Sequence, residues 1–132
     1  MIVKFYDIQD TNNPFNGKSF ESCDPLIDRL RDFQRREPFF CELVGQNGYK
    51  LLIGLGNPWS CVQYSKVGGE LPYLMAIANG TKLPGDDLEF LAGNTITPVR
   101  FRYALSSDTL WRVIRHFFET GEPSRDVRWE EI

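Results

Sequence analysis

Two apolar stretches in the middle of the chain predict a β-hairpin. Residues 39–45 (FFCELVG) and 49–55 (YKLLIGL) are separated by Gln46, Asn47 and Gly48. Asn-Gly between two apolar runs is a strong hairpin signal because both residues tolerate positive φ. The pattern therefore predicts two neighbouring antiparallel strands.

Shorter apolar or alternating stretches extend this hairpin into a meander. Further strands are predicted at residues 1–8, 59–65, 68–80 and 95–105. Pro98 in the last of these indicates an edge strand or a bulge, since proline has no N–H for a sheet hydrogen bond. Residues 11–18 and 82–87 are rich in turn formers and predict loops.

Two helices are predicted, one on each side of the meander in the chain. Asp24 and Pro25 open the first, with Asp24 as the predicted N-cap, and its apolar face holds Leu26, Ile27, Leu30 and Phe33. Residues 106–108 (SSD) cap the second, and Gly121 ends it in the C′ position. Its apolar positions are Leu110, Trp111, Val113, Ile114, Phe117 and Phe118. This element order predicts an α+β fold with an antiparallel sheet packed against two main helices.

Length and composition place these elements in one domain. The chain has 132 residues, 42% of them hydrophobic, which suits a single domain spanning residues 1–132. It has no apolar stretch of membrane-spanning length, and its first residues resemble neither a signal nor a transit peptide. We therefore expect a cytoplasmic protein that does not associate with membranes.

The spacing of the cysteines and the net charge argue against a disulfide framework, a zinc site and nucleic-acid binding. Cys23, Cys41 and Cys61 are far apart and form no CxxC pair, which argues against disulfides and a zinc site. Cys23, close to the predicted helix start, is a candidate for a lowered thiol pKa. The net charge of −3 gives no reason to expect a nucleic-acid ligand.

No catalytic constellation is visible in the sequence. His116 is the single histidine, and a Cys–His pair with Cys61 or Cys41 stays open as a nucleophile arrangement. Residues 54–59 (GLGNPW) lack both the GxGxxG spacing and the GK[ST] ending of phosphate loops. We expect no metal, no cofactor and no enzymatic activity, and a binding function instead.

The C-terminal third of the chain resembles a known family. Residues 117–130 contain FFxTG, a proline, an apolar residue and Trp-Glu, and this pattern resembles the first-numbered Imm family of immunity proteins from bacterial polymorphic toxin systems. The matching positions are Phe117, Phe118, Thr120, Gly121, Pro123, Val127, Trp129 and Glu130. The likeness extends loosely back to residue 39, and Pro123 stands one residue closer to the glycine than is usual in the family.

The resemblance implies a protein partner and a mode of action. A protein of this family would bind the C-terminal domain of a cognate toxin, often a nucleic-acid deaminase acting on cytosine or a nuclease, and occlude its active site. It would catalyse nothing itself. Whether it acts as a monomer or a dimer stays open.

Aromatic and acidic residues after the central hairpin are the candidate toxin-binding set: Trp59, Tyr64, Glu70, Tyr73, Asp86, Asp87 and Glu89. Aromatic anchors supply much of the affinity of protein interfaces, and acidic loops favour capture of a basic, nucleic-acid-binding toxin. Each has a structural alternative, namely core or sheet packing for the aromatic residues and plain solvation for the acidic ones. Phe117, Phe118, Gly121, Pro123 and Trp129 are predicted to be structural, with Trp129 folding back over the end of the second helix.

Two other functional classes remain open at this point. One is a non-catalytic adaptor or protein-interaction domain unrelated to toxins. The other is a small hydrolase or transferase that uses Cys61 and His116.

Overall fold

The computed structural model describes residues 1–77 and 87–132. Within them the chain forms ten strands, two α-helices and one 3₁₀ turn. The strands are β1 (Val3–Asp7), β2 (Ser19–Phe20), β3 (Phe39–Gly45), β4 (Tyr49–Leu55), β5 (Trp59–Lys66), β6 (Leu74–Ile77), β7 (Leu88–Ala92), β8 (Thr95–Val99), β9 (Leu105–Ser106) and β10 (Arg128–Glu131). The helices are α1 (Cys23–Phe33) and α2 (Ser107–Thr120), and the 3₁₀ turn is Phe101–Tyr103.

The strands form one open sheet in the order β10-β6-β5-β4-β3-β1-β2. All pairs along this path are antiparallel. The β7–β8 hairpin leaves the path and touches β3 through a parallel bridge between Phe39 and Leu91, whereas β9 pairs with the start of β5. The predicted α+β class with an antiparallel sheet is confirmed.

Both helices pack on one face of this sheet. Side chains alternate between the two faces along a strand, and those that lie on the helix side and are buried there include Phe5, Leu43, Leu51, Ile53 and Val62. They meet the apolar sides of α1 and α2 in a single cluster. The buried helix residues are Leu26, Ile27, Leu30, Leu110, Trp111, Val113, Ile114, Phe117 and Phe118.

The two helices differ in how well their predicted ends match the structure. Helix α2 ends as predicted, with Ser106 accepting a hydrogen bond from the Thr109 N–H and Gly121 in the left-handed conformation at φ 74°. Helix α1 begins earlier than predicted, because Ser22 and not Asp24 is its N-cap. Asp24 lies in the first turn, where its carboxylate pairs with Arg115 of α2 at 2.9 Å. The prediction of Asp24 as the cap was therefore wrong.

The predicted hairpin between β3 and β4 is confirmed, although its turn differs in detail. Gly48 adopts φ 86°, but Asn47 is not among the residues with positive φ. The side chain of Asn47 instead accepts a hydrogen bond from the Tyr49 N–H and donates one to the carbonyl of Gly121. This turn is thereby joined to the end of α2.

The second half of the sheet departs from the prediction. The long strand predicted at residues 95–105 is three elements: the edge strand β8, which holds Pro98, then the 3₁₀ turn and β9. Gly93 and Asn94, both at positive φ, reverse the chain so that β8 pairs with β7. The strand predicted at residues 68–80 shortens to β6, and the last part of that prediction and most of the loop at 82–87 lie outside the described residues.

Candidate functional site

The sheet face that the helices leave free is the candidate site. The β4 register places Gly54 beside Phe40 on one side and Cys61 on the other. The ring of Phe90, from β7, packs here with its centroid 5.3 Å from that of Phe40. A Cβ at Gly54 would meet Phe90 ring atoms at 2.9 Å, so the glycine permits this close approach of the hairpin.

Next to this small cluster the face opens into a groove of about 740 Å³. Apolar side chains form its floor and walls, chiefly Phe40, Leu52, Cys61, Met75, Val99 and Tyr103. Polar and charged side chains reach it at Glu42, Gln63, Arg100, Arg102 and Glu130. An apolar cleft of this size with a few polar groups is typical of binding sites.

Most charges around the groove are already neutralised by a neighbour. Lys50 Nζ lies 3.1 Å from Glu42 Oε1, and Arg102 forms an ion pair with Glu130. Arg100 is exposed and makes no ion pair with any residue that the structure describes. Among the charged side chains that line the groove, Arg100 is therefore the one without an ion-pair partner in the described residues.

The cysteines and the histidine are not arranged for nucleophilic catalysis. Burial raises the pKa of the Cys61 thiol to about 12, against a smaller lowering by a hydrogen bond from the Gly54 backbone. His116 lies on α2, whereas Cys61 faces the opposite side of the sheet with Met75 and Phe90. Cys41 is fully buried, and burial raises the pKa of its thiol well above the usual range. The Cys–His pair is not assembled.

The candidate lowering of the Cys23 thiol pKa is not found. Burial raises the pKa of Cys23, and this effect outweighs the lowering by the nearby guanidinium of Arg115. The position near the N-terminus of α1 therefore leaves the thiol protonated at neutral pH.

The described members of the predicted toxin-binding set lie in different parts of the molecule. Trp59 is partly buried edge-on against Phe101, with ring centroids 5.5 Å apart. Glu70 is exposed in the turn between β5 and β6, and Tyr73 just after it donates a hydrogen bond to the Gly69 carbonyl. Tyr73 also borders the groove, because its carbonyl accepts the N–H of Ile132.

Two further acidic members of the set, Asp87 and Glu89, lie just before β7 and on it. Asp87 and Glu89 are exposed, and Glu89 lines a smaller cavity together with Glu37 and Ile96. Asp86 lies outside the described residues. The structure therefore does not gather the predicted set into one cluster.

Tyr64 is placed differently from the others, in the core. It is 8% exposed, stacks on Tyr49 and donates a hydrogen bond of 2.9 Å to the carbonyl of Gly121. A partner could reach it only if this packing opened. We therefore assign Tyr64 to the link between β5 and the end of α2.

Replacing Tyr64 with phenylalanine should lower the free energy of unfolding by about 1 kcal/mol, because the Gly121 carbonyl loses a buried partner. Burial, then the nearby Tyr49 and Glu122, raise the pKa of Tyr64 to about 12. Tyrosine in the unfolded chain titrates at about 10, so this contribution to stability is complete below that pH and is lost as the pH rises towards 12. Urea titrations from pH 8 to 11.5 measure both effects. A variant with the wild-type pH slope above 10 would contradict the assignment.

The family-pattern residues surround this same link. Phe117 and Phe118 are buried in the core, and the Gly121 carbonyl accepts from both Tyr64 and Asn47. A Cβ at Gly121 would lie 2.2 Å from Asn47 Nδ2, so a side chain there would displace the Asn47 amide from its hydrogen bond to the Gly121 carbonyl. Glycine is needed at this point for space as well as for its positive φ.

The chain after Gly121 returns to the sheet. It passes the partly buried Pro123, and strand β10 then pairs with β6, which sets Trp129 opposite Ala76. The Trp129 indole N–H donates to the Ser124 carbonyl at 2.7 Å, and its ring meets Tyr64 edge-on. Trp129 is thus a strand residue that covers the core beyond α2.

None of the residues that line the groove was among the predicted toxin-binding candidates. Phe40 and Leu52 occupy the alternate positions of strands whose other face is also apolar, and this double-sided pattern was the available signal. Arg100 and Tyr103 lie in a segment that was predicted as a strand. Their convergence with Met75 depends on the β7–β8 reversal, which no local pattern specified.

A comparison with protein families identifies a family that covers most of the chain. The family model described as Immunity protein Imm1 matches residues 13–131. No curated protein matches the chain. In the described part of the chain, no helix has the length and apolar character that crossing a membrane requires.

Proposed function

The chain belongs to the Imm1 family of immunity proteins, and on this premise we propose that it binds a cognate toxin domain and neutralises it by occluding the active site. The observation that carries the proposal is the extent of the match. It runs from residue 13, before β2, to residue 131, the end of β10, and so takes in the groove and the link at Gly121. The protein would act in the cytoplasm of the cell that makes the toxin and would catalyse no reaction.

For the partner we propose the C-terminal domain of a toxin that acts on nucleic acid, either a cytosine deaminase or another nuclease-type enzyme. Such an enzyme needs a basic substrate cleft. The net charge of −3 has the complementary sign, which favours rapid association. Exposed carboxylates could occupy positions that phosphates take in the substrate.

The residues proposed to contact the toxin are the exposed or half-exposed members of the predicted set: Trp59, Glu70, Tyr73, Asp87 and Glu89. Tyr64 is left out because it is buried. Tyr73 is supported by its backbone hydrogen bond to Ile132, which lines the groove, and Glu70 by its exposure in the turn that precedes Tyr73. Glu89 is supported by the exposed Ile96 that lines the same small cavity.

The test is co-expression in a sensitive bacterium of this protein and the toxin domain encoded beside it. We expect survival of cells that make both proteins, death of cells that make the toxin alone, and co-purification of the pair. Death of both cultures despite good expression of the immunity candidate would overturn the proposal and favour the adaptor class. A variant with Cys61→Ala and His116→Ala tests the enzymatic class in the same cells, and full protection by it would exclude a Cys–His mechanism.

Charge reversal tests the acidic contribution. The triple variant Glu70→Lys, Asp87→Lys and Glu89→Lys should slow association with the toxin domain by about tenfold at low salt, because steering by complementary charge acts mainly on the association rate. Stopped-flow or biolayer measurements at two salt concentrations give this rate. The matched control reverses Asp28, Asp32 and Glu119, which are exposed on the helices. Equal slowing by the two triple variants would show an effect of net charge alone.

A further inference from the structure

We propose that the groove on the free face of the sheet receives an extended acidic segment of the toxin domain, with an apolar side chain on the groove floor and a carboxylate at Arg100. The inference rests on the proposed function and specifies its contact surface. It differs from the contacts proposed for the acidic residues, which would bind basic groups of the toxin. In the groove, this protein supplies the positive charge and the toxin supplies the negative one.

The apolar floor of the groove is the reason to expect an apolar side chain in the toxin segment. Cys61 and Met75 are buried beneath it, while Phe40 and Leu52 remain partly exposed and face the open side. The volume of about 740 Å³ holds a large side chain together with the backbone on either side of it. Burial of such a side chain in a desolvated pocket is the usual source of dominant binding energy in an interface.

The charges of the groove select an acidic occupant. Glu42 and Glu130 already have Lys50 and Arg102 as partners, so a cationic segment would have to break an existing pair and face the positive charge of Arg100. An anionic segment meets no such cost, since Arg100 is exposed at the lip without an ion-pair partner in the described chain. A guanidinium can bind a carboxylate through two parallel hydrogen bonds.

Gln63 adds a reason to expect an extended segment. It lies opposite Leu52 and Met75 in the sheet and reaches the groove, and its side-chain amide forms no hydrogen bond with the described residues. An amide can donate and accept at the same time, as a passing peptide group requires.

The apolar surface continues beyond the groove, which favours a protein segment over a small molecule. Ile132 at the lip is 54% exposed, and its N–H is bonded to the Tyr73 carbonyl. Leu71, two residues before Tyr73, is 69% exposed. Large exposed apolar side chains beside a cleft are surface that a protein partner can bury together with the cleft.

The experiment measures the affinity of purified variants for a catalytically inactive form of the neighbouring toxin domain by titration calorimetry. Arg100→Glu should weaken binding by about 30-fold, and Leu52→Glu, which places a charge on the floor, by about 100-fold. Arg35→Glu, the same charge change at an exposed position after α1, should stay within about threefold of wild type. Melting curves check folding, and if Leu52→Glu unfolds, Arg100→Glu decides.

The outcomes separate the inference from the proposed function. Wild-type affinity in both folded groove variants would overturn the inference and leave the proposed function standing. Tighter binding by Arg100→Glu would also overturn it, because the occupant would then be basic. No binding by the wild-type protein would overturn both.

Discussion

Replacing Asp7 with alanine should lower the free energy of unfolding by about 3 to 4 kcal/mol, because the change removes the central acceptor of a buried polar network. The Asp7 side chain is fully buried at the end of β1. Its Oδ2 accepts from Arg36 at 2.7 Å and from the Asn13 side chain at 3.0 Å. Its Oδ1 accepts from the backbone N–H groups of Gln9 and Asp10 at 2.9 and 2.8 Å.

The cost is large because alanine leaves several donors without a partner at once. Asn13 is itself buried, and the two backbone donors lie in the turn that begins the loop between β1 and β2. Arg36 is partly exposed, and its guanidinium carbon lies 3.9 Å from the centroid of the Phe39 ring. Water and this ring therefore compensate Arg36 in part for the loss of the Asp7 carboxylate. We therefore expect a loss of unfolding free energy near the lower end of the range that is typical when one partner of a buried ion pair is removed.

Urea denaturation at neutral pH measures the effect, with Asp32→Ala as the matched control. Asp32 also pairs with an arginine, but both side chains are exposed and 3.6 Å apart, so its replacement should change the free energy of unfolding by less than about 0.5 kcal/mol. Asp7→Asn should fall between the two, since the amide oxygen still accepts from the backbone. If Asp7→Ala cost no more than Asp32→Ala, the network would have no net value for stability.

Local patterns were sufficient for the elements whose signals lie within a few residues. The Asn-Gly turn between β3 and β4 and the cap and terminal glycine of α2 are set by short-range geometry, and all were predicted. The same local logic placed the first helix but misjudged its cap, since Ser22 and Asp24 are both good N-cap residues and only their surroundings decide between them.

Long-range pairing explains what the sequence did not predict. Strand β10 is four residues long, with charge at all positions except Trp129, and it becomes a strand only because β6 offers it an edge. The partners Asp7 and Arg36 are 29 residues apart. Tyr64 was a predicted toxin-binding residue, but its hydroxyl donates to the carbonyl of Gly121, 57 residues away at the end of α2.

The candidate site was harder to predict than the fold for the same reason. The Cys61–His116 pair that the sequence left open is not assembled, because the two residues lie on opposite faces of the sheet. The groove is built from residues of seven strands, namely β3, β4, β5, β6, β7, β8 and β10, together with the 3₁₀ turn. Its shape depends on the position of the β7–β8 hairpin. Short-range patterns in a single sequence do not show which distant strands come together to form a groove.

Phe117→Ala should cost about 3 to 5 kcal/mol of unfolding free energy, the range for deleting a buried aromatic side chain. Phe117 is 1% exposed and meets Tyr64 edge-on, with ring centroids 6.1 Å apart. Its ring tip also fills the space above Gly45, where a Cβ would lie only 3.0 Å from Phe117 Cζ. Removing the ring therefore opens a cavity between α2, β5 and the turn after β3.

This cavity would be difficult to close, and for that reason we expect a value in the upper half of the range. The Gly121 carbonyl is held by hydrogen bonds from Tyr64 and Asn47, which fix the end of α2 against the sheet and limit its collapse into the space. Urea denaturation should show the full loss, and Phe117→Leu should recover about half of it. His116→Ala, at the preceding and partly exposed position of the same helix, should change stability by less than about 0.5 kcal/mol. A loss of only about 1 kcal/mol in Phe117→Ala would mean that α2 can settle onto the sheet, and that the link at Gly121 does not hold the helix end in place.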